Sequence, residues 1–469
     1  MRVLLYTRHN ATDWFRALAS KLTVASATLI MSELRNEGDV SITDEFYRAY
    51  RELDIAERAT ARFGADACGD IIARCRLLRN LDRAQALRMI GAAVVASEAV
   101  IEQFRPDAFV AFRIDSYVLD VIDRLLRERR VPYVGLWRAA ILPDMVFFTT
   151  RGEYVPVRDP ADEEVDAFVE RITAPDFKAT SLARGARYDF PTFFKKYVQW
   201  NVRDLVVHAQ GWLKRDRLGY RYLLTSRTLE EYRLRFANRR WVRYVDHQWE
   251  RAFRETPLEK RIFIGLQVNP ESTIDYYVRN LPLAQYEDVL FRIIDVLEGA
   301  GYRIFLKDHP NMFGRRSIGF IRKLAARPSV VLVPYPVSSN MLIRESAATF
   351  TWTGTIGLQA SMAGKCPVVV DPTYLIPGAF IQIRTLDDLA ELPARIRAFR
   401  PPRDLDALRR QTARFVLRAW VPGAMRFLEF KQDPRKEARG LELLAQTLNT
   451  YLPTFVQADA GAGKPWSTH

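Results

Sequence analysis

The 469-residue chain has a formal net charge of +14, with 48% hydrophobic and 27% charged residues. This balance excludes a collagen-like or intrinsically disordered protein, and the length exceeds what one hydrophobic core usually serves, so we expect two domains. The three cysteines, Cys68, Cys75 and Cys366, lack the spacing of a zinc site or a disulfide framework, which favours reduced thiols and predicts no metal centre.

The first part of the chain opens with an apolar run, MRVLLY, followed by the polar loop TRHNATD and the helical period WFRALASKL. This order predicts a strand, a loop and a helix, and a helix-rich stretch follows over residues 44–104. The opening run is too short for a secretory signal, and the longest apolar segment, residues 89–101, is too short to span a bilayer. We therefore expect a cytoplasmic protein.

A second unit covers residues 107–137, where DAFVAFRIDS predicts a strand, YVLDVIDRLLRERR an amphipathic helix and VPYVGLW another strand. Strand, helix and strand of these lengths are typical of a parallel βαβ unit. Open parallel sheets bind ligands at the carboxyl ends of their strands, so Arg113, Asp115 and Arg138 are candidate site residues.

Residues 184–254 carry much of the positive charge, with 17 Lys and Arg against 7 Asp and Glu, interleaved with aromatic residues. Three interpretations fit this composition: nucleic-acid binding, contact with anionic lipid, and a solvated helical face whose aromatic side chains pack inward. No helix-turn-helix, RNP or zinc-finger motif accompanies the charge, so we expect no nucleic-acid partner and prefer an anionic membrane surface to nucleic acid.

A second alternating series begins at residue 260. KRIFIGLQV, YRIFLKDHP, SVVLVPYP, ATFTW and CPVVVDP predict strands, and YEDVLFRIIDVLEGAG, SIGFIRKLAAR and MLIRESA predict helices between them. This series indicates a second parallel α/β domain. A helical segment over residues 422–452 and a loose tail, VQADAGAGKPWSTH, complete the chain.

In this second series one strand ends in Lys307, Asp308, His309 and Pro310. Pro310 stops the strand, and an imidazole and an ammonium at the carboxyl edge of the sheet could hold a phosphate through charge-assisted hydrogen bonds. The alternative is an ordinary turn with a surface lysine and a satisfied histidine.

A second motif, FTWTGTIGLQASMAGK, leads from a strand through Gly354 and Gly357 into a helix. Glycine lets a ligand approach the backbone closely, and the first turn of the helix offers N–H groups to a phosphate, as do the hydroxyls of Thr353 and Thr355. The loop is not of Walker A type, because the Gly-Lys-Ser/Thr ending is absent.

A third motif, GLQVNPESTIDYY, places Gln267 and Glu271 in a polar loop that could face a cleft between the domains; an ordinary loop with a helix cap is the alternative. The order of the three motifs, LQVNPEST, KDHP and TGTIGLQASMAGKCPV, resembles the capsule polysaccharide biosynthesis proteins. These are bacterial glycosyltransferases that include retaining Kdo transferases. The resemblance covers residues 261–374.

The resemblance implies a GT-B fold, in which two Rossmann-like domains face a cleft and the C-terminal domain binds most of the nucleotide-sugar donor. Gln359 stands where many GT-B enzymes have a glutamate that binds the ribose, and glutamine can still form hydrogen bonds there. The residues implied in donor binding are Lys307, His309, Thr353, Gly354, Thr355, Gly357, Gln359, Gln267 and Glu271, with His309 also implied in catalysis.

The N-terminal half would then bind the acceptor and supply a catalytic carboxylate. Asp115 is the first candidate, because Arg113 beside it would keep it ionised. The alternative role for Asp115 is a helix cap. Further candidates for binding the acceptor, or a carboxylate on the donor, are Arg8, His9 and Arg138.

The predicted function is a metal-independent glycosyltransferase without a cofactor, which takes a nucleotide-sugar donor, with CMP among the candidate nucleotides. It would act on a bacterial surface polysaccharide or lipid-linked glycan at the inner face of the membrane. A sugar-nucleotide epimerase of the same build and a non-enzymatic polyanion-binding protein are the alternatives. The sequence predicts five segments. Residues 1–180 form an acceptor-side α/β domain, residues 181–255 a helical basic and aromatic linker, and residues 256–420 a donor-binding α/β domain. Residues 421–455 form helices that could cross back to the first domain, and residues 456–469 form a tail.

Overall fold

The computed structural model describes residues 1–8, 11–139, 141–177, 179, 187–213, 215, 234–376, 378–423, 425 and 434–460. Two sheets organise these residues, one of seven strands and one of six. The first sheet is parallel apart from one edge, and the second is parallel throughout. The predicted α/β class with two Rossmann-like sheets is confirmed.

The first sheet has the strand order β13-β6-β5-β4-β1-β2-β3. Its strands are β1 (Arg2–Thr7), β2 (Ala27–Ser32), β3 (Val40–Ser41), β4 (Ala108–Phe112), β5 (Tyr133–Arg138), β6 (Met145–Phe148) and β13 (Trp420–Pro422). Successive residues of β1 alternate between two cores, with Leu4 and Tyr6 on one face and Val3 and Leu5 on the other. Because both faces are covered, the strand is a continuous apolar run.

The helices of the first half cover these two faces. They are α1 (Thr12–Ala19), α2 (Thr43–Tyr50), α3 (Ile55–Phe63), α4 (Ala65–Arg74), α5 (Arg83–Phe104), α6 (Tyr117–Glu128) and α7 (Asp162–Thr173). By length and composition alone, α5 is long and apolar enough to cross a membrane, and 61% of its most apolar window is buried inside the protein. Its buried side chains belong to the core that also contains Leu4 and Tyr6.

The second sheet has the order β12-β11-β10-β7-β8-β9. Its strands are β7 (Arg261–Gly265), β8 (Arg303–Lys307), β9 (Val330–Val333), β10 (Ala348–Thr351), β11 (Cys366–Val369) and β12 (Ile381–Gln382). Strands 7, 8 and 9 run outward to one side and strands 10, 11 and 12 to the other. The chain therefore reverses its winding between β7 and β10, which is the switch point where such sheets bind ligands.

The helices of the second half include those predicted between the strands, and two more, Asp388–Ala398 and Leu405–Leu417, that were not predicted from the sequence. They are α8 (Phe190–Leu213), α9 (Trp249–Glu255), α10 (Ser272–Asp275), α11 (Tyr286–Gly299), α12 (Ile318–Ala325), α13 (Ser339–Arg344), α14 (Thr355–Met362), α15 (Asp388–Ala398), α16 (Leu405–Leu417) and α17 (Pro434–Ala460). Short 3-10 helices cover Leu78–Asn80, Phe236–Arg243, Leu258–Lys260, Leu281–Ala284 and Pro310–Met312.

The end of the chain returns to the first sheet. Strand β13 pairs antiparallel with β6, with Trp420 opposite Phe147. Helix α17 then buries Leu444 and Leu448 in the core that contains Val3. The two halves are therefore linked by the chain twice.

Several elements were not predicted from the sequence: the strands β2, β3, β6, β12 and β13 and the helices α7, α15 and α16. Most of these strands have two to four residues, too few to show a period, and β3, β12 and β13 lie at sheet edges. The basic linker is described only in part. The predicted tail begins at residue 456, but α17 continues to Ala460, so its first five residues are helical, and the rest of the tail lies outside the described residues.

Candidate functional site

Gln267 lies at the switch point of the second sheet and connects two of the predicted loops. It follows β7, the strand between β8 and β10. Its side-chain oxygen accepts the Thr353 backbone N–H at 2.7 Å, and its amide nitrogen donates to the Thr353 hydroxyl at 2.8 Å. Gln267 is 7% exposed, so its amide group is a buried part of the site, and it fixes the loop after β10 against the loop after β7.

Asp308 organises the loop after β8 from within. Its carboxylate accepts hydrogen bonds from Arg316 Nε at 2.9 Å, from the Tyr335 hydroxyl at 2.6 Å and from the His309 backbone N–H at 2.8 Å. Arg316 also donates to the Gln267 backbone carbonyl. The three strand-end loops that the sequence singled out therefore form one hydrogen-bonded unit.

His309 presents a neutral imidazole. Its Nδ1 accepts the Asn311 backbone N–H at 3.1 Å, which leaves the ring proton on Nε2. Burial lowers the pKa of His309 to about 4, and the charges of Arg316 and Lys307 act in the same direction while Asp308 opposes them. At neutral pH His309 is thus a hydrogen-bond donor without a charge.

The predicted phosphate loop after β10 leads into α14, and Gly354 caps this helix without a side-chain hydrogen bond. Thr355 is its first residue and Gln359 lies one turn later, both partly exposed. Gly357 is buried, and a Cβ there would lie 2.6 Å from the Tyr374 hydroxyl and 2.8 Å from Val369 Cγ1. The close contacts that leave room only for a glycine at position 357 are therefore made by Tyr374 and Val369 of the protein itself.

Lys307 is 7% exposed and donates from Nζ to the Ser339 hydroxyl at 3.1 Å. Ser339 is the first residue of α13, the helix between β9 and β10. In this structure the predicted ammonium ligand therefore contacts the start of α13. It stays a prediction as a donor-binding residue.

The carboxyl edge of the first sheet carries a buried charge network around Arg8. This guanidinium pairs with Asp115 after β4 and lies 3.6 Å, Nε to Oε1, from Glu33 after β2. Tyr6 donates its hydroxyl to Glu33 at 2.5 Å. Burial disfavours the charge on Arg8, but Asp115 and Glu33 outweigh burial and raise the pKa of Arg8.

Asp115 pairs with Arg8, whereas the sequence predicted Arg113 as the cation that keeps it ionised. It is also not the cap of α6, because Ser116 accepts the Leu119 backbone N–H at 3.5 Å. The Asp115 side chain is 27% exposed, so it is reachable from outside while its partner Arg8 is buried. His9, next in the loop, lies outside the described residues, and Arg138 is the partly exposed last residue of β5.

Arg113 reaches from the first sheet to the second half of the chain. Its guanidinium stacks on Trp137 at 3.6 Å, donates to the Tyr277 hydroxyl at 3.3 Å and lies 3.9 Å from Glu271. Its buried Nε has no hydrogen-bond partner among the residues that the structure describes. Arg113 and Glu271 mark the point where the two carboxyl edges meet, and there the buried N–H of Arg113 could still bind a ligand.

The sequence analysis overlooked three residues that hold this site: Arg316, Tyr335 and Glu33. Arg316 and Tyr335 bind Asp308, and Glu33 binds Arg8. Tyr335 follows β9, a predicted strand, so a systematic reading of strand ends would have found it. Glu33 follows β2, a strand that was not predicted, so no such signal pointed to it. Arg316 lies in the loop before α12, and its partner is not signalled by any local pattern.

The described part of the chain contains no group of three or more His, Cys, Asp or Glu residues that could hold a metal ion. The three cysteines are free and buried, and burial raises the pKa of each thiol.

No protein-family model and no curated protein matches the chain. Similar solved structures include two proteins of Thermosulfurimonas dismutans, KpsC beta Kdo 2,4 transferase and KpsC beta Kdo 2,7 transferase. The first has 15% identity over 72% of this chain and 87% of that chain, with a TM-score of 0.34. The second has 11% identity over 95% and 99%, with a TM-score of 0.35. The likeness to Kdo transferases that the sequence motifs indicated is thus found among solved structures.

Sugar-nucleotide epimerases are similar as well. UDP-GlcNAc 2-epimerase from Neisseria meningitidis, solved with UDP-GlcNAc, has 9% identity over 96% of this chain and 99% of that chain, with a TM-score of 0.24. The Rickettsia bellii UDP-N-acetylglucosamine 2-epimerase has 12% identity over 98% and 99%, with a TM-score of 0.28. These neighbours are all enzymes, of two classes, and likenesses this low do not choose between them.

Proposed function

We propose that the protein is a glycosyltransferase that moves a sugar from a nucleotide-activated donor to a surface polysaccharide or a lipid-linked glycan. The observation that carries the proposal is the junction of three strand-end loops around Gln267 at the switch point of the second sheet. Strand-end donors and a helix N-terminus converge there, which is the arrangement that binds nucleotide phosphates in open parallel sheets.

On the donor side, the first turn of α14 and the Nε2–H of His309 would bind the leaving phosphate. Negative charge grows on this phosphate as the bond from the sugar carbon to the phosphate oxygen breaks. Hydrogen-bond donors that are already oriented stabilise such charge without reorganisation. Asp308, Arg316 and Tyr335 hold the His309 loop in place for this task.

On the acceptor side, Asp115 would act on the sugar carbon or on the acceptor hydroxyl. As a base it takes the proton of the hydroxyl whose oxygen forms the new bond; as a nucleophile it forms a transient bond to the sugar. Arg8 keeps its partner Asp115 in position. Arg113, with a buried N–H lacking a described partner, would bind an anionic group of donor or acceptor.

The proposal includes metal-independent turnover, with no cofactor beyond the donor, at the cytoplasmic face of a membrane. Three donor nucleotides are to be compared, CMP, UDP and GDP. A nucleotide that binds only the folded state raises the melting temperature. The donor nucleotide should therefore raise it in the wild type and in the control His247→Ala, which replaces an exposed histidine. His309→Ala removes one of several donors, so it should bind the nucleotide about ten-fold to a hundred-fold more weakly and show a smaller shift.

Product analysis separates the candidate activities. The sugar nucleotide of the matching base is incubated with and without a glycan acceptor, and the products are identified by mass spectrometry. A transferase releases the free nucleotide and extends the glycan only when the acceptor is present. Conversion of the donor to its epimer without an acceptor would assign the protein to the epimerases instead. Salt-dependent polyanion binding that survives His309→Ala, with no turnover, would favour the non-enzymatic alternative.

A further inference from the structure

Helix α8 has two apolar faces, and only one of them packs against the protein. On the inner face Phe193 is buried against Gly314, and a Cβ on Gly314 would lie 2.5 Å from the Phe193 ring. Arg315 stacks on the Trp200 ring at 4.4 Å. These contacts attach the helix to residues 313–315, close to His309 in the chain.

The outer face of α8 is a continuous exposed apolar stripe. Of the 13 large apolar side chains that are exposed in the described part of the chain, ten lie on α8 and the adjoining 3-10 helix Phe236–Arg243. Their exposed fractions run from 40% at Phe236 to 70% at Leu213. The members are Phe190, Phe194, Val198, Val202, Leu205, Val206, Trp212, Leu213, Phe236 and Val242.

The spacing of these residues sets the stripe opposite the packed face. At 100° per residue, Phe194, Val198 and Leu205 fall within one sector of the helix, well away from the direction of Phe193. A helix of this length is about 36 Å long, so the stripe is a patch of the kind that marks an interaction surface. Packing among the residues that the structure describes does not account for it.

Cations outnumber anions along the segment that carries the stripe. Over the described residues from 187 to 246 there are nine Lys and Arg against three Asp, and one of these, Asp204, is buried. Beside the stripe, a cavity of about 210 Å³ is lined by Arg239, Arg240 and Arg243, by one acidic residue, Asp189, and by aromatic side chains. The combination is an elongated apolar surface with a positive border.

We propose that α8 and the 3-10 helix Phe236–Arg243 form a docking surface for an anionic phospholipid bilayer. Apolar side chains along one helical face enter the boundary between headgroups and acyl chains, and the surrounding cations bind the headgroup phosphates. A nucleic acid would instead need cations at the centre of the surface, where this protein has Val198, Val202 and Leu205.

This surface goes beyond the proposed activity and does not depend on it. If the transferase proposal also holds, docking has a further consequence, because α8 packs on the loop that follows His309. The donor site would then lie near the membrane surface, where the glycan of a lipid-linked acceptor is found.

The test is co-sedimentation of the full chain with vesicles of phosphatidylcholine alone or mixed with phosphatidylglycerol, at low and high salt. We expect the wild type to sediment with the anionic vesicles. The triple variant Val202→Gln, Leu205→Gln and Trp212→Gln should bind at least about ten-fold more weakly, since it removes three inserted side chains. Arg240→Gln with Arg243→Gln should weaken binding roughly 30-fold, at about 1 kcal/mol per cation.

Two matched controls keep the test specific. Leu53→Gln with Leu258→Gln changes exposed leucines away from the stripe, and Arg397→Gln with Arg403→Gln removes two exposed cations elsewhere. Both should bind as the wild type does, and all variants should keep the wild-type melting temperature, because the changed side chains are exposed.

Lack of binding to anionic vesicles, or wild-type binding by the apolar triple variant, would overturn the proposal. A dimer would also overturn the proposal. If light scattering gave the mass of two chains for the wild type and of one chain for the triple variant, a second copy of the protein would cover the stripe. Nucleotide-induced thermal shifts measured on the same variants report on the donor site alone, so failure of docking and failure of the proposed activity are distinguishable.

Discussion

His309 lies at a strand end where burial sets its protonation state. Arg316 and Lys307 add to the effect of burial, and the single opposing charge is that of Asp308, which is itself engaged by Arg316. The result is a neutral donor in an electropositive loop. A phosphate bound at Nε2 would favour the protonated form, so ligand binding and proton uptake should be linked.

The first prediction concerns the contribution of His309 to turnover. A hydrogen bond to a charged group contributes roughly 1.5 to 3 kcal/mol, so His309→Ala should lower kcat/KM by about ten-fold to a hundred-fold. Steady-state kinetics with the donor identified by thermal shift measures this, with the exposed His247→Ala as the control. Unchanged kcat/KM in His309→Ala would remove the histidine from the donor site.

The second prediction concerns stability against acid. Unfolded His309 takes up a proton near pH 6.5, whereas in the folded protein its pKa is about 4. Between these values the unfolded chain binds more protons, so this residue makes the protein less stable as the pH falls from 6.5 toward 4, and has no such effect above 6.5. When the pH falls from about 7 to about 5, the free energy of unfolding should therefore decrease more in the wild type than in His309→Gln. The difference between the two decreases should be about 1 to 2 kcal/mol.

Urea unfolding at the two pH values measures the difference. His247→Gln, which replaces an exposed histidine, is the control. Equal pH dependence in His309→Gln and the wild type would mean that folding does not lower the pKa of His309.

At the scale of elements, α14 is positioned by close packing rather than by a cap. Its N-terminus follows Gly354, whose carbonyl accepts the Tyr374 hydroxyl, and Gly357 lies against Tyr374 and Val369. The proposed phosphate site therefore depends on how closely this helix approaches β11. Small displacements of the helix would move the N–H groups that are to bind the ligand.

The third prediction tests this dependence. Gly357→Ala should destabilise the protein by about 1 to 3 kcal/mol, because the new methyl overlaps Tyr374 and Val369, and should weaken nucleotide binding. Gly319→Ala is the matched control, since Gly319 also lies in a helix and a Cβ there meets nothing within 4 Å. We expect the control to be neutral or up to about 1 kcal/mol more stable. A Gly357→Ala protein as stable as the control would contradict the packing.

At the scale of the whole molecule, the two halves are joined by arginines from the first half that bind the end of α10 and the loop that follows it. Arg74 donates to the carbonyls of Asp275 and Val278 at 2.9 and 2.7 Å. Arg76 and Arg79 bind the Asp275 carboxylate at 2.7 and 2.8 Å. Because Asp275 is 3% exposed, this junction is a buried charge cluster that fixes the relation of the two sheets.

The fourth prediction follows from that burial. Asp275→Ala leaves two arginines without their carboxylate, so the free energy of unfolding should fall by about 2 to 4 kcal/mol. The unfolding curves of the two halves should also separate. Asp295→Ala, which removes an exposed partner of Arg327 at 2.7 Å, should cost less than about 1 kcal/mol. Equal effects of the two substitutions in urea unfolding would show that the junction contributes little.

Most of the long elements and the edge at which the site forms could be predicted from the sequence, because both depend on local patterns, whereas the helices α7, α15 and α16 were not predicted. A short apolar run between turn signals indicates a buried strand before its partner is known, and a polar loop after a parallel strand lies at the carboxyl edge. This placement predicts Gln267, His309, Thr353 and Asp115 as site residues from the sequence alone. The short edge strands β3 and β13 have too few residues to carry such a pattern.

The α/β class, the two series of parallel strands and the polar residues at strand ends follow from local sequence patterns. The partners of those residues follow from the packed sheets: Arg8 pairs with Asp115, Arg316 with Asp308 and Gln267 with Thr353. The exposed face of α8 is likewise a result of packing. The physical reason is that periodicity is a property of neighbouring residues. A hydrogen bond, an ion pair or the burial of a face depends on groups up to hundreds of residues away, which come together only when the sheets are packed.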